Sequence, residues 1–363
     1  MAKQVTAFVR HTALPPAPPP SSQSGVVKWL RENLFSSVFN SLMTVLAIYL
    51  LYKIAAAIVP WLLNGVWTTS SQWECYEVLD GLSGGCFSVL TERWNQLVFG
   101  FKYPKELYWR PSLSFVLLLV AVAPVLFSKL PRKMLVFTAI YPFLAYWLIW
   151  GGSIVTPVVG LVGFIAGYKT FQTMAKQKFA VALFAAALAA FLSWYLGGYL
   201  SAPLSNFIAL EAVPSRDMGG FMLNIILGTV CVSLSVPLGI LLALGRQSNL
   251  PVIRAICVVF IEFIRGVPLI TLLFVANVVL AYFLPPGTNF DLILRVIIMI
   301  TLFSAAYIAE VIRGGLAALP AGQYEAAGSL GLDYAQSMRL IILPQALKIS
   351  IPGIVNVAVG RVF

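Results

Sequence analysis

Opposite charges stand three positions apart at two places in apolar stretches of this 363-residue chain. The first pair is Glu262 and Arg265, and the second is Glu310 and Arg313. Residues with this spacing lie on one face of a helix, so each pair can form an ion pair and the two pairs can also join each other. Charges inside such apolar segments are unfavourable and face a protein interior or water. They indicate either a gate beside a solute path or internal ion pairs that fix helix packing.

Two further signals follow the first pair along the chain. Gly266 and Pro268 predict a local break in the helix, where backbone groups become free to bind a ligand. Asn277 is a single polar residue in the middle of the same apolar stretch. It either contacts a solute or forms a hydrogen bond between helices. These three residues and the four charges form the candidate gate and substrate path.

The residue types that catalysis needs are missing from the sequence. The one histidine, His11, cannot by itself build a metal site or a Ser-His-Asp triad. The sequence contains no G-x-x-x-x-G-K-[ST] phosphate loop, no zinc-ligand spacing and no paired-carboxylate site. We therefore expect no catalytic residue, no metal and no cofactor, and any ATP would be hydrolysed on another chain. These absences argue against a membrane enzyme.

The composition indicates a membrane protein built from helices. Hydrophobic residues make up 60% of the chain and charged residues 10%, whereas soluble domains have about 45–50% and about 25%. A water-soluble fold of this length cannot hide so much apolar surface in one core. We therefore predict an all-α, polytopic bundle of transmembrane helices.

Apolar stretches long enough to cross a bilayer recur along the chain. They predict about eight full spans and an incomplete ninth that begins near Ala346 and is interrupted by Pro352. We divide the chain into a proline-rich tail (1–35), an N-terminal block of about five helices (36–199) with a long loop at 64–111, and a C-terminal core (219–363). The eight predicted full spans are 36–63, 112–128, 134–150, 152–168, 179–199, 219–245, 255–284 and 290–312.

Basic residues are concentrated on one side of these predicted spans. With the N-terminus inside, the first four inner segments carry twelve Lys or Arg residues and one acid, Glu32. The outer segments carry five basic residues and eight acids. Because cytoplasmic loops are enriched in Lys and Arg, this asymmetry predicts a cytoplasmic N-terminus. The net charge of +11 is thus explained by basic loops on the cytoplasmic side of the membrane. We expect membrane lipid as a partner and no nucleic acid.

Two of the four cysteines lie in the predicted outer loop. Cys75 and Cys86 flank Gly84–Gly85, which lets the chain turn back between them. An oxidising compartment allows a disulfide there, and free thiols are the alternative. We expect the disulfide.

The stretch between the eighth and ninth predicted spans is expected to lie on the cytoplasmic surface. A short helix is predicted at 323–330, with Gly331 ending it. A second short helix is predicted at 333–342, after which Pro344 resets the chain direction before the membrane is re-entered. The two helices at 320–344 would form a docking knob, since nothing in this stretch suggests a catalytic cleft.

The residues of this stretch resemble a known signature. The stretch matches every fixed position of the cytoplasmic motif of ABC importer permease subunits. The matching residues are Glu325-Ala326-Ala327, then Gly331 after three residues, then Ile341-x-Leu343-Pro344 after nine more. The surrounding segments 260–268 and 306–316 are similar to the polar amino acid permeases. The segment 84–110 resembles the outer loop of the larger permease subunit of general L-amino acid importers, so that the likeness covers most of residues 36–353.

The resemblance implies a function and a set of partners. It implies a MetI-like permease core in the C-terminal half and an ATP-driven importer of L-amino acids in a bacterial inner membrane. The expected partners are an ABC ATP-binding subunit, a second permease subunit and a periplasmic amino-acid-binding protein. Residues Glu325, Ala326, Ala327, Gly331, Leu343 and Pro344 are then expected to couple the permease to the ATPase. The alternatives are a similar permease for another small polar solute and an ATP-independent carrier.

The sequence also departs from this family near its end. The family continues with one more spanning helix, whereas the likeness here fades after Gly353–Ile354. We therefore expect a chain that is truncated at its C-terminus.

Overall fold

The computed structural model is helical over most of the residues it describes, which are 25–127, 129–174, 179–200, 208–283 and 291–362. The predicted all-α, polytopic architecture is confirmed. Most of the predicted proline-rich tail, including His11, lies outside the described residues. The chain divides into two compact units, 1–93 and 94–363.

The first unit contains one long helix and a folded segment that follows it. No residue of the long helix is buried, and Ser37 caps it by accepting a hydrogen bond from the Asn40 backbone N–H. A helix that is apolar all round and unburied is typical of a membrane span. The helices of this unit, among the residues from 25 onward that the structure describes, are α1 (Gly25–Asn33), α2 (Val38–Leu63), α3 (Gln72–Leu79) and α4 (Ser88–Glu92).

The segment after α2 folds back on the end of that helix. The Val66 N–H donates to the Gly85 carbonyl at 2.9 Å, and the Phe87 N–H donates to the Val66 carbonyl at 2.8 Å. Trp67 stacks on Phe87 with ring centroids 4.8 Å apart. A side chain at Gly85 would collide with the Phe87 ring, so this close approach needs glycine.

The second unit begins with helices that pack on their neighbours in sequence order. Glycines bring two of them, α8 and α9, into close contact, because a Cβ atom at Gly163 or Gly167 would lie about 3 Å from a backbone carbonyl of α9. Strands β1 (Gly152–Ser153) and β2 (Ala209–Leu210) pair antiparallel, with Gly152 opposite Leu210. The helices are α5 (Trp94–Phe99), α6 (Trp109–Leu126), α7 (Leu135–Trp150), α8 (Val155–Met174) and α9 (Phe179–Leu200), with 3₁₀ turns at Lys105–Leu107, Arg132–Met134 and Ser215–Asp217.

The C-terminal part of this unit is organised around one helix, α14 (Leu292–Ala317), which is the most buried of the candidate spans. Gly239 lets α10 pack on Ile308, and Gly315 lets α17 pack on α14 close to the Ala346 carbonyl. The remaining helices are α10 (Gly220–Arg246), α11 (Pro251–Gly266), α12 (Leu269–Phe274), α13 (Leu280–Phe283), α15 (Ala321–Ser329), α16 (Tyr334–Ser337) and α17 (Leu343–Val362), with π-helical segments at Val275–Val279 and Met338–Ile342.

A core cluster connects the predicted N-terminal block with the predicted C-terminal core. Phe99 and Tyr103, which precede α6, pack with Met218 and Met222 at the start of α10 and with Ile293 of α14. The Tyr103 hydroxyl also donates to the Ile149 carbonyl of α7 at 3.4 Å. Helix α5 and the end of α7 are therefore packed into the same hydrophobic core as α10 and α14.

Seven helices among the described residues are long and apolar enough to cross a membrane, and a bent pair is a possible eighth. The bent pair is α11 with the Leu269–Val279 segment, at 102° to each other, so the predicted span 255–284 is broken. The predicted span 152–168 forms α8, which is not among the seven; Lys169 and polar neighbours make its end less apolar.

The chain after residue 333 differs from the prediction. Instead of two elements separated at Pro344, helical structure is continuous from Tyr334 to Gly360, and this run is long enough to span a membrane. The predictions of a separate second short helix and of a change of direction at Pro344 were wrong. Pro344 cannot donate a backbone hydrogen bond. The π segment immediately before it widens the helix and replaces the regular hydrogen-bond pattern there, so the helix can continue through the proline.

Candidate functional site

The predicted coupling segment forms an exposed helix, α15. Ala327 is its one buried residue, whereas Glu325 and Ala326 are exposed. Among the described residues, no side chain donates a hydrogen bond to the Glu325 carboxylate or pairs with it. The acidic group and the small residue beside it are therefore open to a partner.

Gly331 ends α15 for a specific geometrical reason. Its N–H donates to the Gly328 carbonyl at 2.9 Å, and the Leu332 N–H donates to the Ala327 carbonyl at 3.2 Å. This pair of bonds is a Schellman motif, which needs a left-handed residue after the helix. Gly331 has φ 71°, and a Cβ atom there would meet nothing within 4 Å. Glycine is thus required by backbone conformation and not by lack of space.

Hydrogen bonds hold α15 against the helices on either side. The Gln345 side-chain amide donates to Gln323 Oε1 at 3.0 Å, which ties α17 to α15. The Tyr324 hydroxyl donates to the Leu316 carbonyl of α14 at 3.5 Å. Leu343 is half-buried and Pro344 is exposed at the start of α17. A force on α15 would therefore be transmitted to α14 and α17.

The four predicted intramembrane charges are brought together in one cluster. Arg265 lies 3.6 Å from Glu310 and 4.0 Å from Glu262. The Arg313 side chain donates to Glu310 through Nε at 2.8 Å. The cross-pairing between helices that the spacing predicted is therefore present in the structure, on α11 and α14.

A fifth charge, Arg246, completes this cluster and was missed by the sequence reasoning. It is the last residue of α10, and its Nη1 lies 2.9 Å from Glu262 and 3.3 Å from Glu310. The cluster of three Arg and two Glu thus joins the ends of three helices. The signal that could have found it is the position of a lone Arg at the end of an adjacent predicted span.

The predicted break after Arg265 is present. Gly266 is the last residue of α11, Pro268 precedes α12, and the chain bends between them. The Tyr307 hydroxyl donates to the freed Arg265 carbonyl at 3.4 Å, and the Arg265 guanidinium lies 5.5 Å from the centre of the Tyr307 ring. The broken helix is therefore held against α14 next to the charge cluster.

Asn277 lies in the π-helical segment, away from the cluster. Its backbone carbonyl accepts a hydrogen bond from Arg295 of α14 at 3.1 Å. Its side-chain Oδ1 is buried and has no hydrogen-bond partner. The interhelical contact that the sequence suggested is made by the backbone, and the side chain stays available. In the part of the chain that the structure describes, no group of three or more His, Cys, Asp or Glu is placed to hold a metal ion.

The loop of the first unit carries the two predicted cysteines. Cys75 and Cys86 are joined, with Cα atoms 6.0 Å apart. Next to Cys75, the Glu74 carboxylate accepts from the Ser70 backbone N–H and hydroxyl, each at 2.9 Å, and these bonds hold the pKa of that carboxyl below its usual range. The disulfide thus closes this part of the loop, and the Glu74 hydrogen bonds stabilise the start of α3.

Known proteins are similar to this chain both at the site and over nearly its whole length. The family described as "Binding-protein-dependent transport system inner membrane component" matches residues 235–362. The chain is 51% identical to the glutamate/glutamine/aspartate/asparagine transport system permease protein BztC of Rhodobacter capsulatus, over 98% of this chain and 84% of that protein. It is 37% identical to the inner membrane amino-acid ABC transporter permease protein YhdY of Escherichia coli, over 95% of this chain and 79% of that protein. The matched residues 235–362 contain the charge cluster and α15.

Proposed function

This chain belongs to the family of amino-acid ABC transporter permeases, and from that premise we propose how its residues move solute and respond to ATP. It is a multi-pass membrane permease subunit of an ABC importer, not an enzyme, and ATP is hydrolysed by a separate subunit of the same machine. The transported solutes are amino acids. The chain is 51% identical to a permease whose name lists glutamate, glutamine, aspartate and asparagine. The proposed solutes are therefore the acidic amino acids and their amides.

The proposed point of coupling to ATP is α15 together with the start of α17. The observation that carries this proposal is that Glu325 and Ala326 are exposed on a helix tied to α14 and α17. The groove of the ATP-binding subunit would receive this helix. When the two ATPase subunits close, the helix would move and carry α14 and α17 with it, which is a rigid-body switch between two states.

The proposed gate is the charge cluster at the ends of α10, α11 and α14. Arg246, Arg265 and Arg313 surround Glu310, so one carboxylate holds three helices together. Sliding or rotation of these helices in the transport cycle would exchange these ion pairs for others. The break at Gly266 and Pro268 gives α11 the freedom to move relative to α12.

The remaining proposals concern assembly and orientation. The N-terminus would be cytoplasmic, as the basic residues of the inner segments favour. The outer side would then hold the joined Cys75 and Cys86, and a periplasmic amino-acid-binding protein would deliver solute there. A second permease subunit would complete the pathway. The block at 36–199 would be an addition to the permease core at 219–363.

Replacement of Glu325 by lysine tests the coupling proposal. Reversing the charge of an exposed residue leaves insertion and folding intact, because Glu325 has no partner among the described residues. We expect the variant permease to lose co-purification with its ATP-binding subunit at least tenfold, and uptake of radiolabelled L-glutamate to fall with it. Glu32→Lys is the matched control, an exposed acid on the same predicted side whose single ion pair, with Lys28 at 3.8 Å, is weak.

Two results would contradict these proposals. Normal co-purification by the Glu325→Lys variant would remove α15 from the interface with the ATPase. Glutamate uptake by the chain reconstituted without any ATP-binding subunit would favour the alternative of an ATP-independent carrier. A panel of amino acids and unrelated polar solutes, offered to the complete importer, tests the proposed solutes.

A further inference from the structure

Arg295 of α14 is a charge within a membrane span that has no carboxylate partner. The chain has thirteen Asp and Glu residues, all in the described segments, and none of them forms an ion pair with Arg295. Asp291, one turn earlier, uses its carboxylate to cap α14 by accepting from the Leu294 N–H at 3.0 Å. An arginine in a span is unfavourable unless it faces the bundle interior or water and pairs with an acid, a backbone carbonyl or a bound anion, and such residues mark solute paths.

Arg295 is held in place by the π-helical segment opposite. Its Nη1 donates to the Asn277 carbonyl at 3.1 Å. In a π segment the regular helical bonding pattern is interrupted, which leaves carbonyl groups available to other donors, and such segments are frequent at functional sites. The guanidinium is therefore positioned by the backbone and its charge is not neutralised.

The two residues leave one donor and one acceptor unused. Arg295 Nε and Asn277 Oδ1 are both buried, and neither has a hydrogen-bond partner among the described residues. Buried polar atoms are normally satisfied, so each unsatisfied atom needs an explanation. A cationic donor next to an amide acceptor is complementary to a zwitterion, whose carboxylate would bind the guanidinium and whose ammonium would donate to the amide oxygen.

Arg295 also lies on the face of α14 that borders the broken helix. Met299, Phe303 and Tyr307 follow it at intervals of four residues, and these three pack against residues of α11 and α12. Glu310 of the charge cluster lies near the far end of the same face, about 22 Å away at 1.5 Å per residue. The same face thus carries the unpaired cation near one end and the proposed gate near the other.

We propose that Arg295 and Asn277 form the subsite that binds the α-carboxylate and α-ammonium groups of the amino acid in the membrane path. This inference rests on the proposed function and adds the groups that recognise the solute. The side chain of the solute does not contribute to this subsite. Solutes with different side chains would therefore share it, which agrees with the mixed acidic and amide solutes proposed above.

Equilibrium binding to the purified permease and ATPase complex, without the binding protein, tests this subsite. The probes are radiolabelled L-glutamate and, as competitor, its α-carboxamide analogue, which lacks the α-carboxylate. We expect the wild-type complex to prefer glutamate over the analogue at least tenfold. Arg295→Gln is expected to weaken glutamate binding at least tenfold and to remove that preference, and Arg295→Lys to keep part of it.

Asn277→Ala provides a second, independent readout. It is expected to weaken binding of glutamate several-fold but to leave binding of glutarate, which has no ammonium group, unchanged. Arg254→Gln is the matched control, because Arg254 is an exposed arginine of α11 that forms no ion pair among the described residues. It is expected to bind both probes as the wild type does.

The possible results separate this inference from the proposed function. If the wild-type importer takes up glutamate and Arg295→Gln binds it with unchanged affinity and preference, the subsite is refuted and the permease function stands. If Arg295→Gln leaves binding unchanged but alters the dependence of activity on anionic lipid, Arg295 binds a lipid phosphate and the subsite is refuted as well. If the wild-type importer takes up no amino acid, the proposed function itself fails.

Discussion

The two ends of one face of α14 differ in how their charged residues are paired. Near its last turns, Glu310 is surrounded by three arginines from three helices. Near its first turn, Arg295 has a backbone carbonyl as partner and no carboxylate among the described residues. In the first arrangement every charged residue has an ion-pair partner within the chain, so the cluster can hold helices together. The second leaves a charge that a solute can neutralise, so the contrast separates a structural role from a recognition role.

Replacement of Glu310 by glutamine is expected to have the largest effect on stability. The change leaves three arginines close together with one carboxylate, Glu262, that is half exposed. Because Glu310 is only partly buried, removing it costs an amount between the about 1 kcal/mol of an exposed ion pair and the about 3 kcal/mol of a buried one. The free energy of unfolding, measured on the purified permease in detergent with a chemical denaturant, should fall by about that amount.

Glu262→Gln is the matched control for that change. The Glu262 side chain is 53% exposed, against 23% for Glu310, so water screens its ion pairs and their contribution is below about 1 kcal/mol. Equal losses for the two variants would contradict the picture of a cluster centred on Glu310.

Arg295→Gln is expected to have a smaller effect on stability than Glu310→Gln. It removes a single hydrogen bond to a carbonyl, about 1 kcal/mol, and at the same time removes an uncompensated charge. The free energy of unfolding should change by less than about 1 kcal/mol, in either direction, while glutamate binding weakens at least tenfold. A loss as large as that of Glu310→Gln would mean that both ends of α14 have the same structural role.

Gly331→Ala is expected to have the smallest effect on unfolding of the whole chain. The left-handed conformation of residue 331 costs an alanine about 1 kcal/mol, and the strain is confined to the end of α15. Faster hydrogen exchange at 321–332 and weaker ATPase binding are expected, with the global unfolding transition unchanged.

Gly328→Ala controls for the added methyl group. Gly328 is also exposed, and a Cβ atom there would likewise meet nothing within 4 Å, but its backbone is helical, so alanine should favour the helix. If both alanine variants bind the ATPase equally, backbone geometry at Gly331 does not position α15.

Sequence patterns predicted the local parts of this site. The charges of α11 and α14 were found because each pair is three residues apart on its helix, and α15 was found because Gly331 follows a short run of helix-forming residues. The interpretation of local spacing needs no knowledge of neighbouring helices, which explains why these predictions agree with the structure.

Residues that act across helices were not found in the same way. Arg246 is sixteen positions from Glu262, and a terminal arginine is expected for any inner helix end. Arg295 forms no ion pair with a residue three or four positions away on its helix, among the described residues. Pro344 indicated a helix end, but the π segment before it keeps the helix continuous. No residue pattern predicts that π segment. Tertiary contacts decide each of these cases.

Cross-linking from α15 tests the central claim most directly. A single cysteine is placed at Glu325, with Cys231 and Cys257 changed to serine, and the complete importer is treated in membranes with a short thiol-to-amine cross-linker. We predict a covalent product with the ATP-binding subunit from Glu325→Cys and none from the control Glu32→Cys. An importer that takes up glutamate but gives no such product from residue 325 would contradict the account.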